Sequence, residues 1–186
     1  MLIKEKLYFI AIIPPEVICE EVTGFKEDFA IRFKSSRALK VIPHITLKVP
    51  FKLATENHEQ ILQWFEQLPV TVPPFQQELK NFGAFNNKRN PVIYVNPIMS
   101  PSLDRLQKEV LLSFGRSYPQ QGIMELEFNY KPHMTIAYRD LKPHLFKEAW
   151  KEYTTKEYAA TFWVKEFHLL QHDSKKWNTI SKFYLK

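Results

Sequence analysis

Seven consecutive apolar residues, Leu7–Ile13 (LYFIAII), end in the pair Pro14-Pro15. A run of that length bounded by prolines predicts a strand buried on both faces. Pro15 is suited to open a helix, and the mixed amphipathic pattern that follows predicts one over Glu16 to about Phe33. Alternation returns at Val41–Leu47, predicting a strand. Thr55 is a plausible N-cap for a helix over Glu56–Leu68, where Ile61, Leu62, Phe65 and Leu68 recur at helical spacing. Phe75–Phe85 and Pro91–Val95 predict two strands joined by a hairpin tip, Asn86–Asn90. Leu103, Leu106, Val110, Leu111 and Phe114 share one face of a helix that starts at Ser100 or Pro101 and ends near Gly115. A strand at His133–Tyr138, a helix at Pro143–Tyr153 and strands at Ala159–Val164, Phe167–Gln171 and Thr179–Leu185 complete the chain. The alternation of strands and helices predicts an α/β (α+β) class. No linker interrupts it, so residues 1–186 are expected to form one domain.

The pattern contains a repeat. Pro43-His44-Ile45-Thr46-Leu47 and Pro132-His133-Met134-Thr135-Ile136 both read Pro-His-apolar-Thr-apolar, with the histidines 89 positions apart. On a strand, His44 and Thr46 face one way while Ile45 and Leu47 face the other, and His133 and Thr135 stand over Met134 and Ile136 likewise. The apolar residues anchor the strand and hold the polar pair on a rigid support. If the two halves pack about a pseudo-twofold axis, both pairs face one groove. That geometry suits metal-free chemistry at phosphorus. One neutral imidazole takes the proton of the incoming oxygen and one protonated imidazole gives a proton to the leaving oxygen. An ordinary histidine pKa of about 6.5 allows both near neutrality. The threonine hydroxyls would hold the non-bridging oxygens.

Composition narrows the function. With 4 Gly there is neither a Walker loop nor a dinucleotide-binding fingerprint. A lone cysteine, Cys19, excludes internal disulfides and a cysteine-built zinc site. His168 and His172 alternate on one strand but lack a third ligand, so no metal is expected. Lys and Arg number 26 against 20 Asp and Glu, a balance of +6 that suits a phosphorylated substrate. The N-terminal apolar run is too short to span a membrane, and a cytoplasmic location is the default expectation.

The two motifs resemble those of the two-histidine (2H) phosphoesterase superfamily, within it the 2′-5′ RNA ligase and cyclic phosphodiesterase group. The opening FIAIIPPE and the segment Phe82-Gly83-Ala84-Phe85 leading into Pro91–Val95 also resemble that group. The resemblance implies a bilobal fold, two pseudo-symmetric lobes each with an antiparallel sheet and flanking helices around a central groove. Each motif would lie on a central strand of its lobe. It implies His44 and His133 as the acid/base pair, Thr46 and Thr135 as phosphate holders, and no cofactor. Opening of 2′,3′-cyclic phosphates is the implied reaction, with 2′-5′ linkage formation as its reverse. The partners implied are RNA ends or small cyclic nucleotides, met by a monomer. A non-catalytic nucleotide- or RNA-binding protein on the same scaffold is the alternative.

Secondary candidates come from the residues themselves. Lys34, Arg37, Lys40, Lys48 and Lys52 fall in a stretch without acids. Lys48 shares strand parity with His44 and Thr46, which predicts a phosphate contact. Tyr138 and Arg139 directly follow the second motif, and Arg139 could fork onto a phosphate. Phe51 and Tyr130 are candidates for stacking on a base.

Overall fold

The computed structural model describes residues 4–186. Its elements in chain order are β1 (Glu5–Ile12), α1 (Glu16–Phe33), β2 (Ile45–Ala54), α2 (His58–Glu66), β3 (Phe75–Phe85), β4 (Val92–Pro97), α3 (Pro101–Ser117), α4 (Glu125–Phe128), β5 (Met134–Ala137), α5 (Pro143–Tyr153), β6 (Ala159–Val164), β7 (Glu166–His172) and β8 (Trp177–Tyr184). Short 3₁₀ turns lie at Arg37–Lys40, Thr55–Asn57 and Pro119–Gln121. The strands form two four-stranded antiparallel sheets, ordered β2-β1-β7-β8 and β5-β4-β3-β6. The class is mixed α/β, as the alternation of elements predicts.

The duplication is visible in the chain path. β1-α1-β2 and β4-α3-β5 are each a strand, a helix and a second strand that returns antiparallel to the first. The second strand carries the motif in both. It is an edge strand in both sheets, not the central strand that the resemblance implies. The exposed edges are shielded crosswise, with α1 packed beside β5 and α3 beside β2. A motif strand at an edge has one side free to face a groove.

Burial follows the alternation. Ile45, Leu47, Met134 and Ile136 are buried, while His44, Thr46, His133 and Thr135 are only partly so. One apolar core runs through both sheets, joining Tyr8, Ile10 and Ile12 of β1 to Ile93, Val95, Phe114 and Phe146. A smaller cluster of Phe9, Ala11 and Leu170, flanked by Val41 and Trp177, covers the opposite face of β1. That two-sided cover is why LYFIAII shows no polar interruption.

Several boundaries differ from expectation, three of them instructively. The strand predicted at Val41–Leu47 begins only at Ile45 and runs to Ala54. Pro43 has no N–H to give a ladder, and the 3₁₀ turn at Arg37–Lys40 consumes the approach. The helix predicted from Glu56 opens as a 3₁₀ turn and becomes α-helical at His58. α3 continues past Gly115 to Ser117, its N-terminus capped by the Ser100 hydroxyl, which accepts from Leu103 N at 3.1 Å.

Candidate active site

Both motif histidines are tethered identically. His44 Nδ1 lies 2.7 Å from the Ile42 carbonyl and His133 Nδ1 lies 2.8 Å from the Lys131 carbonyl, each two residues back. A carbonyl only accepts, so Nδ1 carries the proton in both rings. Nε2 is then the atom free to exchange a proton. Aromatic rings wall each imidazole: Phe9 beside His44 at 4.9 Å, and Phe85 and Tyr94 beside His133 at 5.1 and 5.7 Å between centroids.

A groove between the two sheets brings the motifs together. His44, Thr46 and Thr135 line one cavity of about 410 Å³. Thr46 and His133 line a second of about 390 Å³. Thr46 thus stands where the two meet. Among the described residues, no protein group hydrogen-bonds the hydroxyl of Thr46 or Thr135, which leaves both free to donate to a ligand. The Tyr130 hydroxyl crosses the groove to donate to the Thr46 carbonyl at 3.0 Å, fixing the strand edge. That bond holds the Tyr130 ring in the wall of the second cavity, beside His133.

Electrostatics couple the rings. Burial lowers the His44 pKa to about 4, opposed by the Ile42 hydrogen bond and reinforced by the charges of Lys26 and His133. Burial likewise lowers the pKa of His133, against the pull of the Lys131 carbonyl. Each imidazole is neutral in the free protein at pH 7, so an anion arriving between them is what favours protonation of one.

The secondary candidates divide. Tyr138 and Arg139 line the first cavity, with the Arg139 guanidinium 5.2 Å from the Tyr138 ring centre. Arg139 adopts φ 60°. The turn is held by Asp140, which accepts from Ser35 Oγ at 2.8 Å and from the backbone N–H groups of Ser36 and Arg37 at 3.0 Å. Lys48 is not in the groove. Ala11 pairs with Thr46 but Ile10 pairs with Lys48, so β2 carries an extra residue there. That bulge cancels the parity that would have put Lys48 beside Thr46. Lys48 is instead buried against Glu127 at 3.0 Å. Phe51 is a core residue, stacked on Tyr8 and 4.6 Å from Phe114.

Several groove residues escaped the sequence reading. Lys26 of α1 is buried, donates to the Val41 carbonyl at 2.7 Å and reaches the same cavity as His44. Phe9, His172 and Trp177 complete the wall. Trp177 pairs with His172 across the β7–β8 hairpin, so the turn signal at Asp173-Ser174 was the available clue. Gly83 supports the His133 side. A Cβ there would fall 2.4 Å from the Tyr94 ring, which itself packs on His133. Gly83→Ala is expected to displace Tyr94, cost about 1–3 kcal/mol and lower turnover through His133, measurable by thermal melting and steady-state rates.

A duplicated strand–helix–strand fold with a His-x-Thr pair on each facing edge defines a two-histidine phosphoesterase architecture. The 2′-5′ RNA ligase superfamily model matches residues 14–176, and the chain belongs to that superfamily. The chain is 27% identical to "Putative phosphoesterase GK0864" of Geobacillus kaustophilus over 177 residues, covering 95% of this chain and 94% of that one. It is 29% identical to "Putative phosphoesterase Bcer98_0945" of Bacillus cytotoxicus over 177 residues, covering 95% of each. Among solved structures, TT0787 of Thermus thermophilus matches with a TM-score of 0.68 at 19% identity, over 97% of both chains. E. coli LigT complexed with 3′-AMP also gives 0.68, at 17% identity over 98% of this chain and 99% of that one. The fold and family thus place the chain among phosphoesterases and RNA-ligase-like proteins. No helix among the described residues is long and apolar enough to cross a membrane.

Proposed function

We propose that the protein is a metal-independent phosphoesterase that opens 2′,3′-cyclic phosphates at RNA ends or on small nucleotides. The observation that carries this reading is the duplicated tether. Two imidazoles are tethered alike through Nδ1, which leaves Nε2 for proton exchange, and they line two adjoining cavities that share Thr46, with no protein group engaging either motif threonine hydroxyl. LigT, which shares the fold, is solved with 3′-AMP, a product-like ligand for such a site.

In the reaction, one neutral Nε2 takes a proton from water as its oxygen bonds to phosphorus. The opposite imidazolium gives its Nε2 proton to the departing ribose oxygen as the P–O bond breaks. Thr46 and Thr135 donate to the non-bridging oxygens, and Arg139 adds positive charge. With a 5′-hydroxyl RNA end as nucleophile in place of water, the same centre would form a 2′-5′ linkage. The protein would act as a monomer in the cytoplasm, without cofactor.

The active form carries one proton shared between two rings whose pKa values both lie below the ordinary 6.5. Its population peaks between those values, so kcat/KM is expected to be bell-shaped with an optimum on the acid side of 6.5. Bound anion raises the pKa values, so the kcat profile is expected to lie at higher pH than that of kcat/KM. Rates on short RNAs ending in 2′,3′-cyclic phosphate, with and without chelator and with products identified by mass spectrometry, test the proposal. Absence of turnover on cyclic phosphates, or strict metal dependence, would overturn it.

A further inference from the structure

Lys26 is a buried charge to which the proposed reaction gives no part. Its side chain is 2% exposed, and its Nζ donates to the Val41 carbonyl at 2.7 Å. Among the described residues no carboxylate forms an ion pair with it. Glu16, Glu20 and Glu27 line a hollow of about 400 Å³ that Lys26 also reaches, but none of them pairs with it. Cys19 beside it is held as a neutral thiol, its pKa pushed up by burial to about 11. Burial lowers the pKa of Lys26 itself to about 8, so the ammonium persists at pH 7 and below. An ammonium in such a place is costly, and a single hydrogen bond to a carbonyl does not require one.

The other half of the duplicated fold makes the same bond without charge. In each half the helix between the paired strands sends one buried polar side chain to a carbonyl of the segment that leads into the motif. In the first half Lys26 of α1 reaches Val41, three residues before His44. In the second half Gln107 of α3, 1% exposed, donates through Nε2 to the Glu127 carbonyl at 2.9 Å, six residues before His133. Lys26 lines the cavity of His44, and Gln107 lines the cavity of His133. The halves are alike in design and unlike in charge, with an ammonium on the His44 side and an amide on the His133 side.

That difference bears on where a shared proton rests. The Lys26 charge is among the causes that lower the pKa of His44. At His133 burial acts against the Lys131 carbonyl with no cation contributing. Tyr138, Arg139 and His172 also line the His44 cavity, and Glu127, Tyr130 and Lys131 the His133 cavity. None of these side-chain charges is among the causes at either ring. The Glu127 carboxylate is taken up by Lys48 at 3.0 Å, and burial keeps the Tyr94 phenol beside His133 neutral. An imidazolium at position 44 would therefore face a fixed positive charge that one at position 133 does not.

We infer that Lys26 is a positioning residue: its ammonium holds the approach to His44 and repels a proton from that ring, so His44 takes the proton of the attacking water and His133 gives one to the departing ribose oxygen. The inference rests on the reaction proposed above and breaks the symmetry that the duplicated motifs leave in it.

Imidazole NMR titrations of the free protein test it without turnover, in wild type, Lys26→Arg, Lys26→Gln and Lys26→Met. Lys26→Gln copies the neutral donor of the second half, and thermal melting checks that each variant folds. In wild type His44 should take its proton at least about one pH unit below His133. Lys26→Gln and Lys26→Met should raise the His44 titration by about one unit, a tenfold change in proton affinity, and leave His133 in place. Lys26→Arg should keep the wild-type order. A His44 unmoved in the neutral variants overturns the inference. So do equal shifts of both rings, which a purely structural role would give.

Rates on an RNA ending in 2′,3′-cyclic phosphate read the same asymmetry. The acid limb of kcat/KM belongs to the base, His44, and the alkaline limb to the acid, His133. Lys26→Gln should move the acid limb up by the NMR shift and leave the alkaline limb fixed, with KM within about twofold of wild type. His44→Ala should keep only the alkaline limb, and His133→Ala only the acid limb. The reverse pattern overturns the inference, as does a raised KM with both limbs fixed, which would make Lys26 a substrate contact. If no cyclic phosphate turns over, the proposed reaction fails by itself. The titrations then decide whether Lys26 orders the two rings, and a His44 that titrates alike in all four proteins overturns that as well.

Discussion

His44→Ala and His133→Ala are each expected to lower the turnover of a 2′,3′-cyclic phosphate by about 10²–10⁴-fold, the range that a positioned proton donor or acceptor contributes. In the proposed reaction each ring supplies a different half of one proton relay, so the double variant should lose much less than the product of the two single losses. The folded chain should tolerate both changes. The rings line the groove and are only partly buried, and their anchoring neighbours Ile45, Leu47, Met134 and Ile136 remain in the core. Binding of 3′-AMP should survive, since the threonine hydroxyls and Arg139 stay in place. Turnover lost with binding retained separates an enzyme from a nucleotide-binding protein on the same scaffold. A variant that turns over at the wild-type rate would remove its ring from the mechanism. The surviving histidine should also convert the bell-shaped kcat/KM profile into a single titration.

The proposed site was legible in the sequence because it lies in two contiguous five-residue segments whose alternation is self-consistent. Apolar residues at every second position state which face is buried, and the polar pair follows. What failed was whatever depended on a break in that regularity. The bulge between Thr46 and Lys48 carries no sequence mark, since Leu47 is equally at home in a regular strand. Parity therefore assigned Lys48 to the groove, whereas it lies beneath it. Phe51 was ambiguous for another reason: an aromatic residue near a cleft can stack on a base or fill the core, and only the proximity of Tyr8 and Phe114 decides. A basic hollow beside the groove, lined by Arg37, Lys40, Arg139 and Lys175, was half visible. Arg37 and Lys40 stand in an acid-free stretch, but Arg139 and Lys175 come from segments over a hundred and about 140 residues away, and strand order alone brings them together. The edge position of both motif strands was hidden likewise, because β7 returns from the end of the chain to pair with β1, and β6 returns to pair with β3.

Removal of the Glu127 carboxylate is expected to be the most destabilising single change near the groove. Lys48 lies 3.0 Å from both of its oxygens, and the two side chains are only 3% and 2% exposed. The same carboxylate accepts from Val49 N at 3.1 Å and Met124 N at 2.9 Å. The Glu127 carbonyl accepts from Gln107 of α3 at 2.9 Å. Glu127 therefore ties the short helix α4 to the bulged part of β2, next to Thr46. Glu127→Ala leaves an ammonium buried without a partner and two backbone donors unsatisfied, which costs about 3–5 kcal/mol. For a chain of this size that corresponds to a melting temperature lower by roughly 6–20 °C. Lys48→Met alone should also destabilise, by leaving the carboxylate unpaired, although its two backbone donors soften the loss. Combining Lys48→Met with Glu127→Gln removes both charges and keeps an acceptor for Val49, so the double variant should melt above Glu127→Ala. Lys48→Met with Glu127→Ala keeps the cavity but leaves no ammonium to orphan, so its melting above Glu127→Ala would assign the loss to the orphaned charge rather than to the cavity. A Glu127→Ala protein that melts within about 2 °C of wild type would mean that water reaches Lys48, and the lobes would then be joined at this point by packing alone.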